Sequence, residues 1–96
     1  MTLEQAKGIA QGYLDELSGT AGYYAILKTV EKHYGWVIYW NTSKYAHSLD
    51  RRDGEIGTGP LVIEKGTSLV HRLSSGVNQE AIFVQFEKKH GFETNL

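Results

Sequence analysis

His47, Ser48 and Asp50 fall in one polar stretch and bring together an imidazole, a hydroxyl and a carboxylate. Those are the groups of a nucleophilic triad, in which the carboxylate orients the imidazole and the imidazole takes the hydroxyl proton. Triads are defined by spatial role and are assembled from distant segments, so adjacency in sequence is the wrong test. The stretch also lacks Gly-x-Ser-x-Gly, the strained elbow that exposes a nucleophile. A solvated polar loop is the better reading; no catalytic residue is assigned and the chain is read as a non-enzyme. An enzyme would need a pocket in which His47 or His71 meets a carboxylate.

Other chemistry is excluded more simply. His33, His47, His71 and His90 are scattered, and no pair has the local spacing of a metal motif. His71 alternates with Leu69 and Leu73, which predicts a packed, hydrogen-bonded histidine at the core edge. There is no cysteine, hence no disulfide, thiolate ligand or thiol nucleophile. Gly57-Thr58-Gly59-Pro60 contains Gly-x-Gly but leads into a strand, whereas phosphate-cradling loops lead into a helix. No metal and no cofactor are therefore expected. Ten Lys and Arg against eleven Asp and Glu give a net charge of −1, without the basic excess that phosphate binding requires, so no nucleic-acid partner is expected. The longest apolar run, Trp36 to Trp40, is far shorter than the roughly 20 residues that span a bilayer. Met1 to Lys7 lack the pattern of a secretory signal, and a cytoplasmic location away from membranes is expected.

What remains is aromatic. Tyr23, Tyr24, Tyr34, Trp36, Tyr39, Trp40 and Tyr45 are more large rings than one small core holds. Tyr and Trp are also frequent binding hot spots, so some of these rings should face a partner.

The elements that position these residues follow from periodicity. The 96 residues make one domain, 1–96. Thr2 to Leu17 reads as an amphipathic helix through Leu3, Ala6, Ala10, Tyr13, Leu14 and Leu17, with a Thr2–Gln5 capping box. Gly8 and Gly12 lie on one side of it, where another backbone comes close. Tyr23 to Lys32 alternates as a strand, with Tyr24, Ile26, Val30 and the Lys28 stem on one face. Gly35 is expected to give a hairpin its left-handed turn residue. Trp36 to Trp40 is a second strand, apolar on both faces, which places it centrally or against a partner. Asn41 to Gly57 breaks the pattern: Ser43 caps a short helical turn, and Asp50 to Glu55 form a solvated tip of mixed sign. Leu61–Ile63 and Leu69–Leu73 are further strands. Ser74 to Val77 leads into a last helix capped by Asn78, with Ile82, Phe83 and Phe86 as its stripe and Gly91 as its stop. The fold class is α+β: a four-stranded antiparallel meander with an N-terminal and a C-terminal helix, in the order α-β-β-β-β-α, both helices on one face. The outer sheet face would then need cover, and a homodimer is one way to supply it.

Three segments carry a family likeness. They are Gly35-Trp36-Val37-Ile38-Tyr39 with Asn41-Thr42-Ser43-Lys44-Tyr45; Gly57-Thr58-Gly59-Pro60-Leu61-Val62-Ile63; and Leu73-Ser74-Ser75 leading to Glu80, Ile82, Phe83, Phe86 and Glu87. Their order resembles the immunity protein 35 family of bacterial polymorphic-toxin systems, over about Gly35 to Glu87. The family's acidic Glu-Thr-Gly-Asp loop is replaced here by His47-Ser48-Leu49-Asp50-Arg51-Arg52-Asp53. Thr58 stands for Asn, Asn78 for Pro, and Ser74-Ser75 for Gly-Thr. The resemblance implies a cytoplasmic, non-catalytic protein that binds and neutralises a cognate toxin; some relatives are regarded instead as chaperone-like stabilisers of other proteins. It treats Trp36, Gly57, Gly59 and Pro60 as structural. The partner-contact residues expected from the divergent loop and its neighbouring rings are Trp40, Tyr45, His47, Asp50, Arg51, Arg52 and Asp53.

Overall fold

The computed structural model describes residues 1–76 and 78–92. Val77, expected in the segment leading to the last helix, lies outside them. Helix α1 spans Leu3–Ser18. Its first turn is closed by a capping box in which the Gln5 amide donates to Thr2 Oγ1 (3.2 Å) and the Thr2 amide donates to Gln5 Oε1 (2.9 Å). Ala6, Ala10 and Leu14 are buried, whereas Leu17, expected in the stripe, is 40% exposed. Gly8 and Gly12 have open space where a side chain would stand: no other described part of the chain comes within 4 Å of it, contrary to the expected close backbone.

The sheet is a meander in the order β1-β2-β3-β4, every neighbouring pair antiparallel. Its strands are β1 (Tyr24–Lys32), β2 (Gly35–Thr42), β3 (Leu61–Glu64) and β4 (Val70–Arg72). The short helix α2 (Ser43–Ser48) and a 3₁₀ turn (Arg51–Asp53) fill the connection between β2 and β3. Helix α3 (Gln79–His90) is capped by Asn78, whose Oδ1 accepts from the Ala81 amide at 3.1 Å.

The helices lie on opposite faces of the sheet, which corrects the expectation that they share one. Ala6, Ala10 and Leu14 of α1 pack with Ile38, Trp40, Leu61 and Ile63. Phe86 of α3 packs with Tyr34, Val37 and Val62, flanked by Val30, Tyr39 and Phe83. Adjacent residues of β2 and β3 thus serve different cores, as alternation along a strand requires. Because both faces of these strands are apolar, each needs its own helix. Full burial of each Leu, Ile or Val contributes about 1.5–3 kcal/mol.

A bulge makes β1 serve both faces as well. Ile26 pairs with Trp40 and Lys28 with Tyr39, leaving Leu27 without a partner. An unpaired residue reverses the side-chain alternation beyond it. Tyr24 and Ile26 therefore join the α1 core and Val30 the α3 core, whereas a regular strand would have put all three together. Gly35 also acts differently from expectation. Its φ is not positive. A Cβ there would stand 2.3 Å from the Ile63 carbonyl oxygen, so glycine permits the close approach of β3.

Candidate functional site

The connection from Asn41 to Gly57 is folded on itself by side-chain hydrogen bonds. Thr42, rather than Ser43, caps α2: its Oγ1 accepts from the Tyr45 amide at 3.0 Å and its hydroxyl donates to the Asp53 carbonyl at 2.6 Å. Ser43 instead ties α2 to the start of β1, its amide donating to the Tyr23 carbonyl at 2.8 Å and its hydroxyl to the Gly22 carbonyl. Asn41 Oδ1 accepts from the Glu55 amide at 2.9 Å and its Nδ2 donates to the Glu55 carbonyl at 3.3 Å, a two-bond clamp across the connection. The Glu55 carboxylate then receives the hydroxyls of Tyr23 (2.8 Å) and Tyr24 (2.7 Å). Two phenols are thereby held protonated. The hydrogen bond to Glu55, reinforced by burial and the carboxylate's charge, pushes Tyr24 up to about 12; Tyr23 is raised by its own hydrogen bond to the other Glu55 oxygen.

The expected contact residues separate into two groups. Trp40 is buried, and its indole N–H donates to the Gly59 carbonyl at 2.7 Å; this corrects its expected place on a contact surface, because its ring is spent in the α1 core. Tyr45, His47, Asp50, Arg51, Arg52 and Asp53 all lie in the connection and none is fully buried. Asp50 is bound by Arg52 at 2.8 Å, and that guanidinium together with the Arg52 amide holds its carboxyl below the usual carboxylate range. Asp53 accepts the Ser48 hydroxyl at 2.6 Å and lies 3.4 Å from the Lys44 ammonium. Ser48 is thus turned to Asp53, and among the described residues no hydrogen bond joins it to His47. Among the described residues Arg51 has no carboxylate partner.

The Gly59–Pro60 element is structural in a specific sense. A Cβ on Gly59 would stand 1.9 Å from the Leu73 carbonyl oxygen, and the Leu73 amide donates to the Pro60 carbonyl at 2.9 Å. The chain leaving the sheet is thereby fastened where the Asn41–Gly57 connection returns to it. Gly57 has φ 87°, a left-handed conformation that favours glycine. Trp36 packs at the margin of the α1 core with the Lys65 ammonium 5.2 Å from its ring centroid.

Sequence reasoning missed two exposed aliphatic residues here. Ile56 is fully exposed, and Leu49 is 72% exposed with φ 58°, rare for a non-glycine residue. The usable signal was present in both: an isolated aliphatic residue in a polar loop, in phase with neither a helix nor a strand. Ile56 borders a groove of about 200 Å³ together with Asn41, Tyr45, Arg51, Gly54 and Glu55. A roomier groove of about 630 Å³ runs between α1 and the β3–β4 turn. Its one titratable side chain, Lys65, is bound to Glu31 at 2.6 Å.

His71 meets a carboxylate, half of what an enzyme would require. Its Nε2 contacts Glu64 Oε2 beneath α3, where the rings of Phe86 and His90 close over it at 5.2 and 4.7 Å between centroids. The two grooves above are lined by other residues. The arrangement is the packed, hydrogen-bonded histidine read from the alternation. Among the described residues no three His, Asp or Glu converge as metal ligands, and no helix is long and apolar enough to cross a membrane.

No family model matches the chain, and no curated protein or solved structure matches it at the significance required.

Proposed function

We propose that the chain is a binding protein of the immunity type, which neutralises a cognate bacterial protein toxin by occupying its surface, without catalysis of its own. The observation that carries this reading is the organised connection between β2 and β3. It is tied to β1 through Glu55, Tyr23 and Tyr24, and it presents Leu49, Arg51 and Ile56 outward. A surface fixed before binding avoids the ordering cost that a floppy loop incurs on association, which favours tight complexes. The likeness to immunity protein 35 supplies the class of partner, and the divergence of this connection from the family pattern makes it the segment for choosing one toxin over another.

The test is to identify a toxin gene adjacent to that of this chain and to co-express the two. Restored growth together with a co-purifying one-to-one complex supports the proposal; continued toxicity with no complex refutes it. Suppression of heat aggregation in several unrelated proteins, without toxin binding, would instead mark a chaperone-like stabiliser.

A further inference from the structure

We infer that the groove between Arg51 and Ile56 takes an extended acidic segment of the partner protein, with a carboxylate on the Arg51 guanidinium and a neighbouring aliphatic side chain against Tyr45 and Ile56. This rests on the reading of the connection as a binding surface and names the chemistry of what it binds.

The floor of the groove is flat because Gly54 lies on the Tyr45 ring: a Cβ there would stand 3.1 Å from Cδ2 of that ring and 3.2 Å from Asn41 Nδ2. Tyr45 and Ile56 offer apolar surface along it, and Arg51 and Glu55 supply its charged groups. The charges of this region are unequally spent. Asp50 is paired with Arg52 and Asp53 with Lys44, and the oxygens of Glu55, which keeps its negative charge, accept the two phenols. Arg51 alone among the charged groups of the groove has its donors unclaimed among the described residues. A guanidinium presents five N–H groups in a fork that matches a carboxylate. Beside an apolar floor, the complementary ligand is a carboxylate flanked by an aliphatic residue. Arginine beside aromatic surface is also a common composition at protein interfaces.

The experiment is an amide NMR titration of the whole chain with two blocked peptides, acetyl-Leu-Asp-Leu-amide and its neutral counterpart acetyl-Leu-Asn-Leu-amide. The acidic peptide should shift the amides of Asn41, Tyr45, Arg51, Gly54 and Ile56 and bind about tenfold more tightly than the neutral one. Arg51→Gln should remove that preference, Ile56→Ser should weaken both peptides, and added salt should weaken only the acidic one. Both substitutions are at exposed positions, and the unperturbed remainder of each spectrum reports that the fold is kept. Equal affinity for the two peptides, or shifts confined to other surfaces, overturns the inference. The toxin experiment separates this from the broader proposal: an Arg51→Gln chain that neutralises the toxin as well as wild type refutes the acidic-segment assignment alone, whereas a wild-type chain that neither rescues nor binds refutes the proposed function.

Discussion

At the scale of single residues, Glu55 has the widest influence on the site, because one carboxylate joins β1 to the returning end of the connection. Its two phenol partners give a pH-dependent signature with a definite sign. Tyr24 is raised in the folded state to about 12, so the protonated phenol is what folding favours. The resulting stabilisation is complete below the ordinary phenol value of about 10 and is lost as pH climbs through about 12. In ¹³C-tyrosine NMR, Tyr24 should ionise near pH 12 in the wild type and return towards 10 in Glu55→Ala; a wild-type midpoint near 10 would show that the bond is not kept in solution. Tyr34 should also ionise late, but for a different reason: burial, then its 2.6 Å bond to Glu87, and Glu55→Ala should leave it unmoved. Trp40 shows what a sequence conceals at this scale. Its residue type suits a hot spot and a core position equally, and only the Gly59 carbonyl it binds decides between them.

At the scale of elements, the glycines divide sharply. Gly59→Ala would drive a Cβ into the Leu73 carbonyl and Gly35→Ala into that of Ile63; each should cost about 2–4 kcal/mol by chemical denaturation. Gly8→Ala, with open space around it in α1, should stabilise by about 0.5–1 kcal/mol. If Gly59→Ala proved neutral, the fastening of the Gly59–Pro60 element to Leu73 would be wrong. Most of the element order was legible in the sequence. Helix α1 announced itself through its capping box and its Ala6–Ala10–Leu14 stripe, α3 through Asn78 and Gly91, β1 through alternation, and the other strands through short apolar runs. The side of the sheet taken by each helix was not legible, because strands apolar on both faces carry no mark of which helix meets which face. The bulge was equally silent: Leu27 sits between Ile26 and Lys28 as an ordinary strand residue, and only the register with β2 reveals it as extra. Within the site, the polar loop and its arginines were visible. The pairing of Glu55 with Tyr23 and Tyr24 was not, since it joins positions more than thirty residues apart.

At the scale of the whole molecule, one sheet serves as the shared wall of two cores. Val37 and Val62 face α3 while their immediate neighbours Ile38, Leu61 and Ile63 face α1, so neither core can dissolve without moving the strands of the other. Unfolding should therefore be a single transition. Phe86→Ala, expected to cost about 3–5 kcal/mol, should lower the midpoint seen by the fluorescence of Trp36 and Trp40, although both rings belong to the opposite face. An unchanged tryptophan midpoint, with α3 lost earlier by circular dichroism, would show that the faces melt separately. Leu27 then acquires a meaning that its partial exposure hides. It works as an inserted letter that shifts the reading frame of the strand, so that Tyr24 and Ile26 are read by α1 and Val30 by α3. Exchanging that letter for another should change little, because the side chain is 40% exposed. Deleting it should invert half the strand, turning Tyr24 and Ile26 away from Trp40 and pulling the two phenols off Glu55. At this position the chain depends on a residue being counted, and hardly at all on which residue it is.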